Sequence, residues 1–236
     1  MKNFNENLPI GVFDSGIGGL CVLKDLQNYF PSENFVYYGD NLKAPYGNKD
    51  ISTLKALTIN SLNLLTNEKV KAIVIGCNTL SANLYKFIKE SVRVSVIKTL
   101  PPICNDRNKA LLCTVKTANS SFVKRNFKGK VIALEDLAIQ IEKNALNLSK
   151  IDLSNVASVI PLTTTEVVLG CTHYHLVKTH LENLIKIPVT DSYETVKYQL
   201  ELELKKHKLF KNLGKGEIKF IGECANFNEK IFKTIL

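Results

Sequence analysis

"EVVLGCTHYHLV", residues 166–177, and "AIVIGCNTLSA", residues 72–82, decide the fold. Each is an apolar run that ends in Gly-Cys and passes into small polar residues. "IVIGCNT" and "VVLGCTH" align without a gap, which makes them an internal repeat. A continuous apolar run bounded by glycine reads as a strand buried on both faces, the kind found in parallel sheets. Similar strands are expected at 8–13, 34–38, 70–75, 93–97, 110–115, 157–160, 166–170, 187–190 and 217–221. Amphipathic stretches near 19–29, 52–66, 80–90, 135–148, 174–185, 193–207 and 225–235 read as helices. The alternation specifies an α/β fold with parallel sheets covered on both faces. The repeat specifies two similar α/β halves, each offering a cysteine at the carboxyl end of a strand, where open α/β sheets bind ligands. Halves that face each other bring the two thiols to one cleft.

The chain has 236 residues, enough for one large α/β domain or two small ones. Hydrophobic residues make up 45% and charged residues 22%, an ordinary globular balance. No apolar run approaches the roughly 20 residues of a membrane span. The polar start "MKNFNENLPI" lacks the apolar core of a secretory signal, so a cytoplasmic location and no membrane partner are expected. Six cysteines are present without a C-x-x-C pair, which speaks against a zinc ribbon or a thioredoxin-type motif. The net charge is +9, but the lysines are scattered and the densest run, "KKHK" at 205–208, falls on an expected surface helix. A solvated surface explains them better than a nucleic-acid face. Pro101-Pro102 marks a break after the strand at 93–97 and a boundary between domains.

Four segments can carry chemistry. "IGVFDSGIGGL", residues 10–20, is a strand, Asp14-Ser15, a glycine turn and a helix start. Its glycines allow close backbone approach, and free N–H groups at the helix start can meet an anion. Cys21 stands where a dinucleotide fingerprint has its third glycine, and no Gly-Lys-Ser/Thr follows. "GDNLKAPYGNKD", residues 39–50, is a loop that presents Tyr46-Gly47. Cys77 with Asn78-Thr79 and Cys171 with Thr172-His173 each put a thiol at a strand tip before a helix N-terminus, a setting that activates cysteine. Three readings of the Cys/His set stand at this point. Cys171, His173, His175 and His180 are poorly spaced for zinc. A Cys–His nucleophile pair leaves Cys77 unexplained. The third reading uses the thiols as a matched acid and base on opposite faces of one carbon, as inversion of a stereocentre requires.

On these residues the chain resembles the glutamate racemase family of cofactor-independent amino-acid racemases. "GVFDSGIGGL", "APYG", "GCNT" and "LGCTHY" match its four motifs in order, and the resemblance spans nearly the whole chain. It implies two α/β domains related by pseudo-twofold symmetry, with the active site in the cleft between them. The first would be 1–98 completed by 209–236, and the second 99–208. It implies Cys77 and Cys171 as catalytic acid/bases, the first acting on D-glutamate and the second on L-glutamate, assisted by Asp14 and His173. Asp14, Ser15, Tyr46, Gly47, Asn78, Thr79, Thr172 and His173 would bind the substrate. It implies no cofactor, neither pyridoxal phosphate nor metal, a homodimer, and D-glutamate made for bacterial peptidoglycan. The alternatives are an aspartate or other amino-acid racemase of the same family, or a non-catalytic ligand-binding relative. The chain departs from the family in its middle. Thr114, Thr117 and Ser120 match a T-x-x-T-x-x-S run, but Cys113 replaces the usual glycine. His175 stands where proline is common, and Glu142 aligns loosely with an acidic residue of the second domain.

Overall fold

The structure, a computed structural model, describes residues 5–235. Residues 1–4 and 236, part of the polar start and of the first-domain assignment above, lie outside it. The first half runs β1 (Ile10–Asp14), α1 (Gly19–Tyr29), β2 (Phe35–Gly39), α2 (Ile51–Asn67), β3 (Ala72–Ile75), α3 (Asn78–Ser91) and β4 (Ser95–Lys98). The chain continues through β5 (Lys109–Cys113), α4 (Val115–Ala118), α5 (Ser121–Asn126), β6 (Lys130–Ala133), α6 (Leu137–Lys143) and α7 (Ser154–Ser158). It ends with β7 (Glu166–Gly170), α8 (Lys178–Ile185), β8 (Val189–Thr190), α9 (Tyr193–Lys206), β9 (Ile218–Ile221) and α10 (Ala225–Ile235).

The strands form two sheets, a five-stranded one ordered β4-β3-β1-β2-β9 and a four-stranded one ordered β6-β5-β7-β8. Every strand pair is parallel. Reversed, the second order is β8-β7-β5-β6, the plan of β4-β3-β1-β2 over again. All residues of β1, β2 and β3 are buried, as sheets covered on both faces demand. In both sheets the connections leave to opposite sides of a central pair, β1/β3 and β5/β7. Such a switch point opens a crevice at the carboxyl ends of the strands. Cys77 follows β3, and Cys171 follows β7. One apolar core, running from Ile17 and Leu20 to Leu112, Ile141 and Val167, joins the two halves.

The chain returns to the first sheet at its end. α9 packs against α1 and β4, and β9 adds to the edge of β2. A buried ammonium anchors this return. Lys71 Nζ donates to Glu33 Oε2 and to the carbonyls of Glu6 (2.6 Å) and Leu209 (2.8 Å). Glu33 Oε1 accepts the Lys211 N–H at 2.8 Å.

Three local expectations are corrected. Residues 157–160 are not a strand: 154–158 form α7, whose Val156 is buried while Val159 faces solvent. Three apolar residues around Ser158 fit a helical turn as well as a strand. The strand expected at 110–115 ends at Cys113, because Thr114 caps α4 by accepting the Thr117 N–H. The segment 130–133 is a strand, β6, at the edge of the second sheet; the half-exposed pattern of Lys130 and Val131 hid it.

Candidate active site

The four sequence segments converge. Ser15, Tyr46, Gly47, Cys77, Asn78, Thr79, Cys171, Thr172 and His173 line one cavity between the sheets, joined by Pro45, Thr114 and Ala138. Each thiol lies within two residues of the end of its strand and opens a helical segment. Cys77 holds the N-cap position of α3, and Cys171 that of a 3-10 turn, Thr172–Val177, which runs into α8. Free backbone N–H groups therefore point at the cavity from both sides.

The two halves meet directly. Thr172 Oγ1 donates to Asp14 Oδ2 at 3.0 Å, and Thr79 Oγ1 lies 3.0 Å from Thr114 Oγ1. The Ile17 N–H donates to Glu142 Oε1 at 2.7 Å. Gly18 makes this closeness feasible: a Cβ there would fall 2.5 Å from the backbone nitrogen of His173. The enclosed space is about 10 Å³, the room of a single water. Among the described residues no Lys or Arg lines it.

The surroundings of the two thiols differ. The helix start predicts a lowered pKa for Cys77, but burial and the nearby Asp14 carboxylate push this thiol up to about 12, although the Leu80 N–H and the Ser15 hydroxyl favour its anion. Burial also raises Asp14, against the pull of His173 and the bonds from the Gly16 N–H and Thr172. Asp14 Oδ1 further accepts the Ser15 hydroxyl at 3.2 Å. On the other side, Cys171 Sγ lies 3.8 Å from His173 Nδ1, and His173 Nε2 lies 2.6 Å from Glu142 Oε1. Burial opposes the imidazolium, but Cys171 and Glu142 outweigh it and hold His173 well above the usual histidine range. A thiol, an imidazolium and a carboxylate thus stand in line.

Tyr46 is fully buried, but its hydroxyl is bound to Asp40 Oδ2. The Asn78 side-chain amide donates to the Thr99 carbonyl at 3.1 Å. Glu142 and Thr114 were not singled out as site residues. Both had a signal, Glu142 in its alignment with an acidic residue and Thr114 in the T-x-x-T-x-x-S run. Thr114 and Thr117 are 3.0 Å apart through their hydroxyls, while Ser120 caps α5. His175 and His180 do not join His173 around an ion. His175 stacks on Tyr193 with ring centroids 4.0 Å apart, and His180 is exposed. Among the described residues no cluster of His, Cys, Asp and Glu is arranged to hold a metal.

No model of a protein family matches the chain. Individual proteins do. The glutamate racemase of Clostridium novyi is 31% identical over 247 residues, covering 96% of this chain and 95% of that protein. It belongs to the glutamate racemase family. The Clostridium kluyveri glutamate racemase is 33% identical over 235 residues, covering 91% of each protein. The crystal structure of the Thermus thermophilus glutamate racemase in complex with beta-chloro-D-alanine superposes with a TM-score of 0.82 at 27% identity. It covers 98% of this chain and 95% of that one. Similarity to family members thus runs through both sheets, and with it the pairing of two α/β units.

Proposed function

We propose that this protein interconverts L- and D-glutamate without a cofactor, with Cys77 and Cys171 as opposed acid and base. One observation carries this: two thiols from two copies of one sheet plan line the same cavity, each beside its own titratable partner. Racemisation needs one group to take the α-proton and a second to return one to the other face. With L-glutamate, the Cys171 thiolate, held against the His173 imidazolium, removes the α-proton. The Cys77 thiol, kept protonated by burial and Asp14, delivers its proton to the opposite face. D-glutamate leaves with Cys77 as the thiolate and Cys171 as the thiol. The reverse reaction starts from that state, and Asp14 and His173 serve the proton exchange that resets it.

The α-proton is weakly acidic, and no conjugated ring takes up the carbanion's charge. Preorganised donors must do so. The N–H groups at the starts of α3 and the 172–177 turn, with the hydroxyls of Ser15, Thr79, Thr114 and Thr172, are the donors assigned to the two carboxylates. Asp14 is assigned to the ammonium. Binding through N–H and O–H groups accounts for how the α- and side-chain carboxylates are accepted by a lining that has no lysine or arginine among the described residues.

A space of about 10 Å³ cannot hold glutamate, so the halves part to admit it and close again to exclude water. The moving units proposed are 1–98 with 209–236, and 99–208. α9 lies within the second stretch but packs on the first sheet. The same reading makes the protein a cytoplasmic homodimer that supplies D-glutamate for peptidoglycan; among the described residues no helix is long and apolar enough to cross a membrane. Steady-state racemisation by Cys77→Ser and Cys171→Ser tests the assignment. Each substitution abolishes turnover, since serine is far too weak an acid to replace the thiol. Near-normal turnover by either variant overturns the two-thiol account. Competition between L-glutamate and L-aspartate identifies the preferred substrate.

A further inference from the structure

Asn228 on α10 is fully buried, and its Oδ1 has no hydrogen-bond partner among the described residues. Leaving a buried polar atom unpaired is unfavourable, so such a residue calls for an explanation. Its amide Nδ2 donates to Asn41 Oδ1 at 2.8 Å. Asn41, in the loop after β2, then directs its own Nδ2 to Glu142 Oε2 at 3.4 Å. The other oxygen of Glu142 holds the Ile17 N–H and His173 Nε2. The chain of contacts therefore runs from the C-terminal helix across the cleft to the imidazole beside Cys171. Gly39 leaves room for it, because a Cβ there would press on Asn228 Nδ2 and Asn41 Oδ1, each at 3.1 Å.

The direction of these bonds is the point. A carboxamide can turn its oxygen or its nitrogen to a neighbour. Asn228 offers Asn41 a donor, so the Asn41 oxygen faces α10 and its nitrogen faces the carboxylate. With the amide reversed, the Asn41 oxygen would oppose Glu142 Oε2. Glu142 sits on α6, in the half that carries Cys171, whereas Asn228, Asn41 and Ile17 all belong to the half built on the first sheet.

We infer that Asn228 and Asn41 are positioning residues, which orient Glu142 on His173 when the halves close. This rests on the two-thiol reading, and wild-type racemisation of glutamate is the control that tests that reading separately. The experiment compares Asn228→Leu, Asn41→Ala and the double variant, each as the full chain. Asn228→Leu lowers kcat/KM about tenfold in both directions, since the enantiomers are equal in energy. The α-deuterium isotope effect rises with L-glutamate, whose proton goes to Cys171, and not with D-glutamate. In the Asn41→Ala background, which stays folded because the loop residue is only part-buried, Asn228→Leu has no further effect. A wild-type kcat/KM and isotope effect in Asn228→Leu overturn the inference. So does a loss that persists undiminished in the Asn41→Ala background, because it then arises from packing of α10 alone. A wild type that does not racemise glutamate overturns the underlying reading instead.

Discussion

Gly16→Ala separates the role of Glu142 from its share of the fold. A Cβ at position 16 would fall 1.7 Å from Glu142 Oε1 and 2.7 Å from its Cδ. The carboxylate must retreat by about 1.5 Å or more to reach ordinary contact distance. It is the end of a flexible side chain, so it can leave; the further contact, 3.2 Å to Ala44 Cβ, needs only a small adjustment. The backbone therefore stays folded, and the bonds from His173 Nε2 (2.6 Å) and the Ile17 N–H (2.7 Å) are lost. A hydrogen bond to a charged group contributes about 1.5–3 kcal/mol. Its loss lets the His173 pKa fall, because Glu142 is one of the groups that hold it up. The alkaline limb of the kcat/KM profile moves to lower pH, and kcat/KM at mildly alkaline pH drops about 10–100-fold, the rate equivalent of that bond. Circular dichroism at a glutamate-sensitive wavelength follows the rate, and thermal melting checks the fold. A variant with wild-type rate and an unmoved alkaline limb would refute the role given to Glu142.

Glu142→Gln keeps the shape and removes the charge. The carboxylate raises His173, so its loss lets activity fall at lower pH, and the alkaline limb shifts down relative to wild type in a pH series. Asp14→Asn should not lower the melting temperature at neutral pH. Burial raises the Asp14 pKa, so its ionised form opposes folding above the ordinary carboxylate range, and a neutral amide relieves that. The same variant loses kcat/KM by about 10²-fold or more, the scale of a missing proton-transfer group. Lys71→Met strands the buried Glu33 carboxylate and destabilises the protein by about 3–5 kcal/mol. Lys71→Met with Glu33→Leu restores most of this in urea titrations.

Much of the fold was legible because its strands are unusually plain. β3 is apolar throughout and β7 is apolar after Glu166, and both lead into Gly-Cys, so their type, ends and repetition could be read together. The cleft followed from that repetition. β6 was not legible: its Lys130 is exposed, and only its pairing with β5 makes it a strand. At 157–160 three apolar residues and Ser158 carried no period, and α7 packs on α8 there. The thiols announced themselves by position at strand tips. Glu142 did not, because a glutamate on a short helix looks solvent-facing until Ile17, 125 residues earlier, donates to it. Tyr46 lines the cavity as expected of a substrate-binding residue, but its hydroxyl is bound to Asp40, six residues before it, which the loop's sequence does not announce. Contacts across the cleft depend on how the halves meet, and no local pattern encodes that.

The most direct test incubates L-glutamate with the wild-type protein in D₂O, follows the α-proton by NMR, and assays the chirality of the product. Two thiols facing one carbon predict D-glutamate that carries deuterium at Cα, no inversion by either Cys77→Ser or Cys171→Ser, and no exchange of the L-glutamate α-proton by Cys171→Ser. Inversion that keeps the original proton, or no exchange by the wild type under reducing conditions, would contradict the account.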